Sequence, residues 1–410
     1  MWGAYTFQII NLAVAVLIVP LLLRGLGPGE YTLWLLFSSI MGAMTQVQNG
    51  IQGVAVKQIA IAFHRGSRTD LLREIGISRT NYRRFTIIVA GPVLAGSLVY
   101  FFYTQNLTRD EYIAWIILVL GYCISYWYAP NNAILLATDR VGLNANINTL
   151  TRVVYFFGSV VIIYIWPSLI APCTALAVAS IVGTALNTLY AKRRISSVTM
   201  HKNTDVAPTI RGSVRRYTSY TLSAFMLYTG SLIIVAPLFP SQTASYGLAL
   251  QMSALTATIA LVPIQVWLAR LVRADHTVAR RELKMTLAVC NILYLSGYTA
   301  LILIVPTLLE LIGSSVRLPL TLVMILMGSA FLLELNISVL VNHLTANADY
   351  SFTSRYAIVA AVGLAFGTFV AITTGILWLG FLVVPMTLQA LHTLPYMVRK
   401  ITTLKGIAYE

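Results

Sequence analysis

Long apolar segments alternate with short polar segments along almost the whole chain. Each apolar segment holds about 20 residues, the length that a helix needs to cross the hydrocarbon core of a bilayer. The pattern predicts an all-α polytopic membrane protein with about twelve transmembrane helices. The predicted spans are Trp2–Leu23, Thr32–Ala55, Phe85–Tyr103, Tyr112–Ala137, Val153–Trp166, Ile170–Ala191, Thr218–Phe239, Tyr246–Leu268, Met285–Leu308, Leu318–Leu340, Tyr356–Ile376 and Leu379–Val398.

The composition agrees with this pattern. Of the 410 residues, 58% are hydrophobic and only 10% are charged. Soluble domains carry about 25% charged residues. A chain with so little charge cannot cover a water-facing surface of this size, and lipid is the solvent that removes the need.

The basic residues are distributed very unevenly among the loops. If the N-terminus is cytoplasmic, 25 of the 28 Lys and Arg residues fall on the cytoplasmic side, and only Arg24, Arg109 and Arg317 fall on the other side. Basic residues collect in the cytoplasmic loops of membrane proteins. The net charge of +15 is therefore a sign of topology, and we expect both termini inside and no nucleic-acid partner.

The chain divides near its middle into two halves of six predicted helices. We expect an N-terminal half at 1–191, a basic cytoplasmic linker at 192–217, and a C-terminal half with a short cytoplasmic tail at 218–410. A shift of 208 residues aligns Arg73 with Arg281 and Glu74 with Glu282. Because both halves begin inside, this predicts a parallel repeat with a pseudo-twofold axis along the membrane normal.

The second predicted helix carries an unusual set of polar residues. Gln46, Asn49, Gly50 and Lys57 fall on one helical face at about 100° per residue, and Gln52 widens that face. Amides and glycine also support close helix packing in membranes. The pattern favours the wall of a water-filled cavity, with helix packing as the alternative.

One acidic and several basic residues complete the candidate site. Glu334 lies near the middle of the tenth predicted helix, where a charge is costly and is by default a functional candidate. Its alternative is an interhelical contact that only holds the bundle together. Arg24 ends the first helix, and Arg152, Arg270 and Arg355 are predicted at inner helix ends. Each of these four arginines could instead be a snorkelling or topology-determining residue.

The sequence carries no motif typical of soluble enzymes. There is no Gly-rich phosphate loop, no His/Cys cluster with metal-ligand spacing and no Ser/His/Asp arrangement. We therefore predict no catalytic residues, no metal site and no cofactor. Active transport would then depend on an ion gradient, with H⁺ or Na⁺ as candidate coupling ions, or on a lipid gradient or consumption of the product.

The segment at 19–34, VPLLLRGLGPGEYTLW, resembles the opening of the bacterial polysaccharide flippases. These are the O-antigen (Wzx-type) branch of the multidrug/oligosaccharidyl-lipid/polysaccharide (MOP) transporter superfamily. Asn49-Gly50 followed by Lys57 is similar to a place where the family often has Asp-Gly and a later basic residue. Here Asn replaces the Asp, which removes one candidate proton-carrying carboxylate.

The resemblance implies a V-shaped pair of six-helix bundles, similar to the MATE transporters, that works by alternating access in the bacterial inner membrane. The implied cargo is an undecaprenyl-pyrophosphate-linked oligosaccharide, and a polysaccharide polymerase and a chain-length regulator are implied partners beside the phospholipid bilayer. On this hypothesis the basic residues bind the head group, the amides line the sugar path, and Glu334 tunes coupling or gating. The residues for the head group are Arg24, Lys57, Arg152, Arg270 and Arg355, and those for the sugar are Gln46, Asn49 and Gln52.

Two other functions fit the same pattern. A multidrug exporter of the same superfamily would favour an acidic cavity, and this chain has almost no intramembrane acid beyond Glu334. A membrane glycosyltransferase or polymerase would carry large outer loops with catalytic residues, whereas the outer loops here are short. The sequence thus favours a flippase that is not an enzyme.

Overall fold

The computed structural model describes residues 2–64, 68–104, 107–138, 140–196, 211–264, 276–311, 316–346 and 349–403. All regular structure in these ranges is helical, as predicted. Nine of the described helices are long and apolar enough to cross a membrane, and ten are if the bent pair Thr218–Leu227 and Thr229–Leu238 forms one span. In chain order the helices are α1 (Trp2–His64), α2 (Arg68–Phe85), α3 (Gly91–Thr104), α4 (Arg109–Tyr128), α5 (Pro130–Ala137), α6 (Val141–Ile165), α7 (Ile170–Ser196), α8 (Arg211–Leu227), α9 (Leu232–Leu238), α10 (Pro240–Ala260), α11 (His276–Leu311), α12 (Thr321–Ala346), α13 (Phe352–Thr374), α14 (Val384–Leu388) and α15 (Leu394–Thr403).

The first two predicted helices are the two arms of α1. Gly27 breaks the helix with φ 72° and ψ 174°, a left-handed φ that glycine adopts without steric cost. Pro28 follows, and proline is well suited to the first turn of a helix. The arms cover residues 2–26 and 28–64, so the second one extends nine residues beyond the predicted end at Ala55.

The chain forms two compact units, Met1–Thr221 and Leu222–Glu410, here called unit 1 and unit 2. The predicted linker at 192–217 is helical at its described ends, because α7 continues to Ser196 and α8 begins at Arg211. Residues 197–210 lie outside the described ranges. The linker itself therefore stays a prediction.

Aromatic and small side chains hold unit 1 together. Phe37, Phe101 and Trp115 form a closed triangle with ring centroids 4.7 to 5.2 Å apart, and all three are buried. Helices α4 and α7 pack so closely at Gly121 that a Cβ atom there would lie 2.6 Å from the Cβ of Ala177. Small residues at such crossings let transmembrane backbones approach each other.

In unit 2, two tyrosines on α11 tie that helix to α12. The rings of Tyr294 and Tyr298 stack with centroids 5.6 Å apart. Their hydroxyls donate hydrogen bonds to the carbonyls of Gly328 at 3.1 Å and Met324 at 2.8 Å. Buried tyrosines usually find such a partner, and here the partners are backbone carbonyls on α12.

The last two predicted spans form a tight pair. Helix α13 ends at Gly375, which has a left-handed φ of 70° and so allows the chain to reverse. The next span begins with a π-helical segment at Leu379–Val383. A Cβ atom on Gly367 would overlap the carbonyl oxygen of Gly380, so the two backbones are in direct contact.

Candidate functional site

The polar face of the second arm of α1 divides into a packed part and an exposed part. Gly50 is buried against α8, where a Cβ atom would lie 2.8 Å from the Cα of Thr218. The backbone carbonyl of Gln46 accepts a hydrogen bond of 3.0 Å from the hydroxyl of Thr221, which also lies on α8. The packing alternative thus holds for the strip around Gly50.

The rest of this face is at least partly exposed. The side chains of Asn49 and Lys57 are exposed, and those of Gln46 and Gln52 are partly buried. The side-chain amides of Gln46, Asn49 and Gln52 form no hydrogen bond with the described residues. The structure therefore keeps these four predicted residues as candidates beside the α8 contact.

The prediction that Arg152 stands at an inner helix end is wrong. Helix α6 begins at Val141 rather than Val153, and Arg152 is the twelfth of its 25 residues. In the polar stretch before it, Thr149 and Thr151 donate hydrogen bonds of 2.9 Å to the carbonyls of Ala145 and Ile147, four residues earlier. These hydroxyls are satisfied within the helix, so they do not end it.

Arg152 therefore places a positive charge near the middle of α6, which is one of the candidate spans of unit 1. At 1.5 Å per residue it lies about 16 Å from the start of α6. Its side chain is exposed, and it is close enough to Tyr122 and Tyr155 to act electrostatically on both hydroxyls. Charged residues at such depth face a bundle interior or a water-filled cavity rather than lipid. Tyr122 and Tyr155 have no signal in the sequence, because tyrosines within apolar runs are usually core residues.

Arg24 lies where it was predicted, at the end of the first arm of α1. Its side chain is exposed, three residues before the break at Gly27. The neighbouring Gly25 packs against Ile163 on α6. This contact joins the end of the first arm to the end of the helix that carries Arg152.

In unit 2, Glu334 lies at the middle of α12, as predicted, being the fourteenth of its 26 residues. Its Oε2 accepts a hydrogen bond of 2.8 Å from the Tyr356 hydroxyl on α13. Its Oε1 is buried and has no hydrogen-bond partner among the described residues. Tyr228, whose ring packs 5.3 Å from that of Phe331, is near enough for its hydroxyl to interact with the Glu334 charge.

The buried polar atoms around Glu334 retain unused hydrogen-bonding capacity. The hydroxyl of Tyr228 is also buried without a described hydrogen-bond partner, and buried polar groups normally have one. One carboxylate oxygen and one hydroxyl are thus available in the same place. The described residues contain no group of three His, Cys, Asp or Glu side chains that could hold a metal ion.

Arg355 lies near the start of α13, as predicted, and is its fourth residue. Its guanidinium lies 4.5 Å from the centre of the Tyr396 ring, a geometry that favours a cation–π contact. Nearby, Lys400 pairs with Asp349 at 3.1 Å. Arg270 lies outside the described residues.

The carboxyl of Asp349 lies in the connection before α13. Burial raises its pKa, but hydrogen bonds from Ser351 and the charge of Lys400 outweigh that effect and leave the pKa below its ordinary value. Asp349 is therefore ionised at neutral pH, and its pair with Lys400 ties this connection to α15.

Comparison with solved structures assigns the fold. An inward-facing multidrug resistance MATE family transporter of the MOP superfamily matches with a TM-score of 0.67 and 13% identity, over 98% of this chain and 96% of that one. An outward-facing structure of such a transporter matches with a TM-score of 0.62 and 12% identity, over 98% and 95%. A MOP superfamily transporter from Pyrococcus furiosus matches with a TM-score of 0.58 and 13% identity, over 98% and 96%. No family profile and no curated protein matches the sequence.

At these identities the comparison establishes the fold and nothing finer. The chain is a polytopic membrane protein with the fold of the MATE transporters in the MOP superfamily. That fold agrees with the predicted all-α, MATE-like architecture, and its structural neighbours are transporters rather than enzymes.

Proposed function

We propose that this chain is a flippase that moves an undecaprenyl-pyrophosphate-linked oligosaccharide across the bacterial inner membrane by alternating access. The cargo would be an O-antigen or capsule repeat unit with three parts, namely a pyrophosphate, a sugar chain and a long lipid tail. The proposal thus needs a cationic surface for the pyrophosphate and hydrogen-bonding groups for the sugar.

The position of Arg152 is the observation that carries the proposal. A guanidinium at the middle of a transmembrane helix costs roughly 2.5–3.5 kcal/mol on insertion scales, so its presence calls for a compensating role. The acidic residues in the described ranges of unit 1 lie outside α6, and all but Glu74 are near a helix end or beside the break in α1. They are Glu30, Asp70, Glu74, Asp110 and Glu111. Helix α6 therefore carries a positive charge at its middle and no acidic residue, which suits an anionic head group.

The remaining candidate residues fit the other parts of the cargo. Guanidinium groups pair with phosphate oxygens through two parallel hydrogen bonds, which is the role we assign to Arg152 and Arg355, with Arg24, Lys57 and Arg270 as further cations. The amides of Gln46, Asn49 and Gln52 would bind sugar hydroxyls. The lipid tail would stay in the bilayer, where it needs no polar contact.

The charge of the binding pocket varies among proteins with this fold. The Pyrococcus furiosus neighbour is described as having a binding pocket of reverse polarity that suggests a different function. This supports the idea that a MATE-like scaffold with cationic residues in its N-terminal unit serves a cargo other than cationic drugs. Glu334, with its partner Tyr356, would then couple transport to H⁺ or Na⁺.

Multidrug export is the second candidate function. Two of the structural neighbours are multidrug resistance transporters, and Glu334 supplies one intramembrane acid in unit 2 that could pair with a cationic drug. A cell-based experiment separates the candidates. The chain is expressed in one strain that lacks its polysaccharide flippase and in another that lacks its drug exporters.

The flippase proposal predicts that surface polysaccharide is restored and that drug resistance is unchanged. Lys57→Ala and Glu334→Ala should each abolish polysaccharide display at an unchanged protein level. Arg109→Ala, at the start of α4, serves as the control and should display normally. Drug resistance without polysaccharide display would establish the exporter instead.

A further inference from the structure

Unit 1 also contains a basic pocket, which is lined by residues not discussed so far. It has a volume of about 220 Å³ and lies where α2, the α4–α5 junction and the end of α7 meet. The residues that line it include Arg79, Arg83, Trp127, Asn131, Thr188 and Lys192. We propose that this pocket binds the phosphate of an anionic phospholipid head group. The proposal does not depend on the identity of the transported cargo.

The pocket carries three positive charges, and no described acidic side chain pairs with them. Among the described residues, Arg79, Arg83 and Lys192 form no salt bridge. Uncompensated charges of one sign that share a concave surface repel one another and attract an anion. A phosphate bound by three cations would remove that repulsion.

Two of the polar side chains are held in place by the protein. The Arg83 guanidinium lies 5.2 Å from the centre of the Trp127 ring, which restricts its orientation. Asn131 is 5% exposed, and its Nδ2 donates a hydrogen bond of 2.8 Å to the Thr188 hydroxyl. An amide nitrogen has two N–H groups, so Asn131 can still donate one to a ligand. The pocket is thus organised before a ligand arrives.

The setting of the pocket identifies the ligand as a lipid rather than a dissolved ion. Helix α2 is amphipathic, because Leu71, Ile75, Ser78, Tyr82 and Phe85 are buried at helical spacing while its arginines are exposed. It leads through a π-helical segment into the next span. A basic amphipathic helix beside Trp and Tyr is typical of the membrane–water interface. Basic pockets between helices on the cytoplasmic side bind anionic head groups, and the charge distribution predicts that this side is cytoplasmic.

The test measures binding of single lipids to the full chain in detergent by native mass spectrometry. The probes are phosphatidylglycerol, phosphatidylcholine with the same acyl chains, and inorganic phosphate. The pocket variant is R79Q/R83Q. Its matched control is R68Q/R73Q, which removes the same charge from exposed positions of α2 that do not line the pocket.

We expect the wild type to prefer phosphatidylglycerol to phosphatidylcholine. Each basic residue near an anionic lipid head group raises the affinity for that lipid about fivefold. R79Q/R83Q should therefore weaken phosphatidylglycerol binding roughly thirtyfold. The control should weaken it less than fivefold. Equal losses in both double variants would mean that overall charge and not the pocket attracts the lipid, and would overturn the proposal.

Two further results complete the test. If R79Q/R83Q does not fold, K192Q on α7 replaces it, with R193Q as the neighbouring control that does not line the pocket. K192Q should weaken phosphatidylglycerol binding about fivefold and R193Q should not. If inorganic phosphate at millimolar concentration displaces the lipid completely, or if the two lipids bind equally, the assignment to an anionic lipid is wrong.

Discussion

Replacing Arg152 by Gln should separate function from stability, because the two are expected to change in opposite directions. The residue lies about 16 Å from one end of α6 and about 20 Å from the other. Removing a charge from that depth relieves roughly 2.5–3.5 kcal/mol of insertion cost. The variant should therefore be inserted and folded at least as well as the wild type.

Transport should nevertheless fall. A unit charge 4 Å from a phosphate oxygen contributes about 1 kcal/mol in water and about 4 kcal/mol at an effective dielectric constant of 20. Even a value near the lower end corresponds to roughly a tenfold loss, since 1.4 kcal/mol is a factor of ten. Arg152→Lys keeps the charge but loses the planar fork, so its activity should lie between those of the wild type and Arg152→Gln.

The assay compares surface polysaccharide with protein level and detergent melting temperature in the same cells. Arg140→Gln is the matched control, because Arg140 is exposed and directly precedes α6. It should display polysaccharide normally. If Arg152→Gln displayed polysaccharide like the control, or lost activity only because the protein disappeared, the reasoning from its depth would be refuted.

Three further predictions follow from individual contacts. Tyr356→Phe removes the hydroxyl that donates to Glu334, and should lower the melting temperature by an amount equivalent to about 1–2 kcal/mol while reducing transport; unchanged values for both would show that this hydrogen bond is not used. Gly50→Ala forces a Cβ against α8 and should lower the free energy of unfolding by about 1–3 kcal/mol. Gly96 has open space around it, so Gly96→Ala should leave the melting temperature unchanged in the same thermal melt. Because folding lowers the pKa of Asp349, the contribution of this carboxylate to stability is present above its unfolded-state pKa and is lost as the pH falls through its folded-state pKa. Asp349→Asn should therefore flatten the acid side of a plot of melting temperature against pH. An unaltered slope there would contradict a stabilising ion pair.

The helices could be predicted from the sequence because lipid imposes a simple rule on composition. Twenty apolar residues in a row can hardly be anything but a span. Nine of the described helices, or ten with the bent pair at 218–238, are long and apolar enough to cross a membrane, against the twelve predicted. The start of α6 was missed because the stretch before Arg152 is rich in Asn and Thr. Its hydroxyls bond to carbonyls within the helix, which a count of apolar residues cannot reveal.

The candidate site was predictable only where one residue is informative alone. Glu334 stands out in sequence because an acid in an apolar run is rare, but its partner Tyr356 lies on another helix and depends on how α12 and α13 pack. The face around Gly50 shows the same limit. Helical periodicity placed its residues on one side, yet only the contact with Thr218 shows that part of that side is packed.

The central claim is that unit 1 presents a cationic interior to an anionic, lipid-linked sugar. Its most direct test is to reconstitute the purified full chain in vesicles and to follow a fluorescent undecaprenyl-pyrophosphate-linked sugar moving between the two leaflets. The wild type should translocate the labelled lipid, and unlabelled lipid-linked pyrophosphate but not cationic drugs should compete with it. Arg152→Gln should be at least roughly tenfold slower. Equal rates for the wild type and Arg152→Gln, or competition by cationic drugs alone, would contradict the central claim.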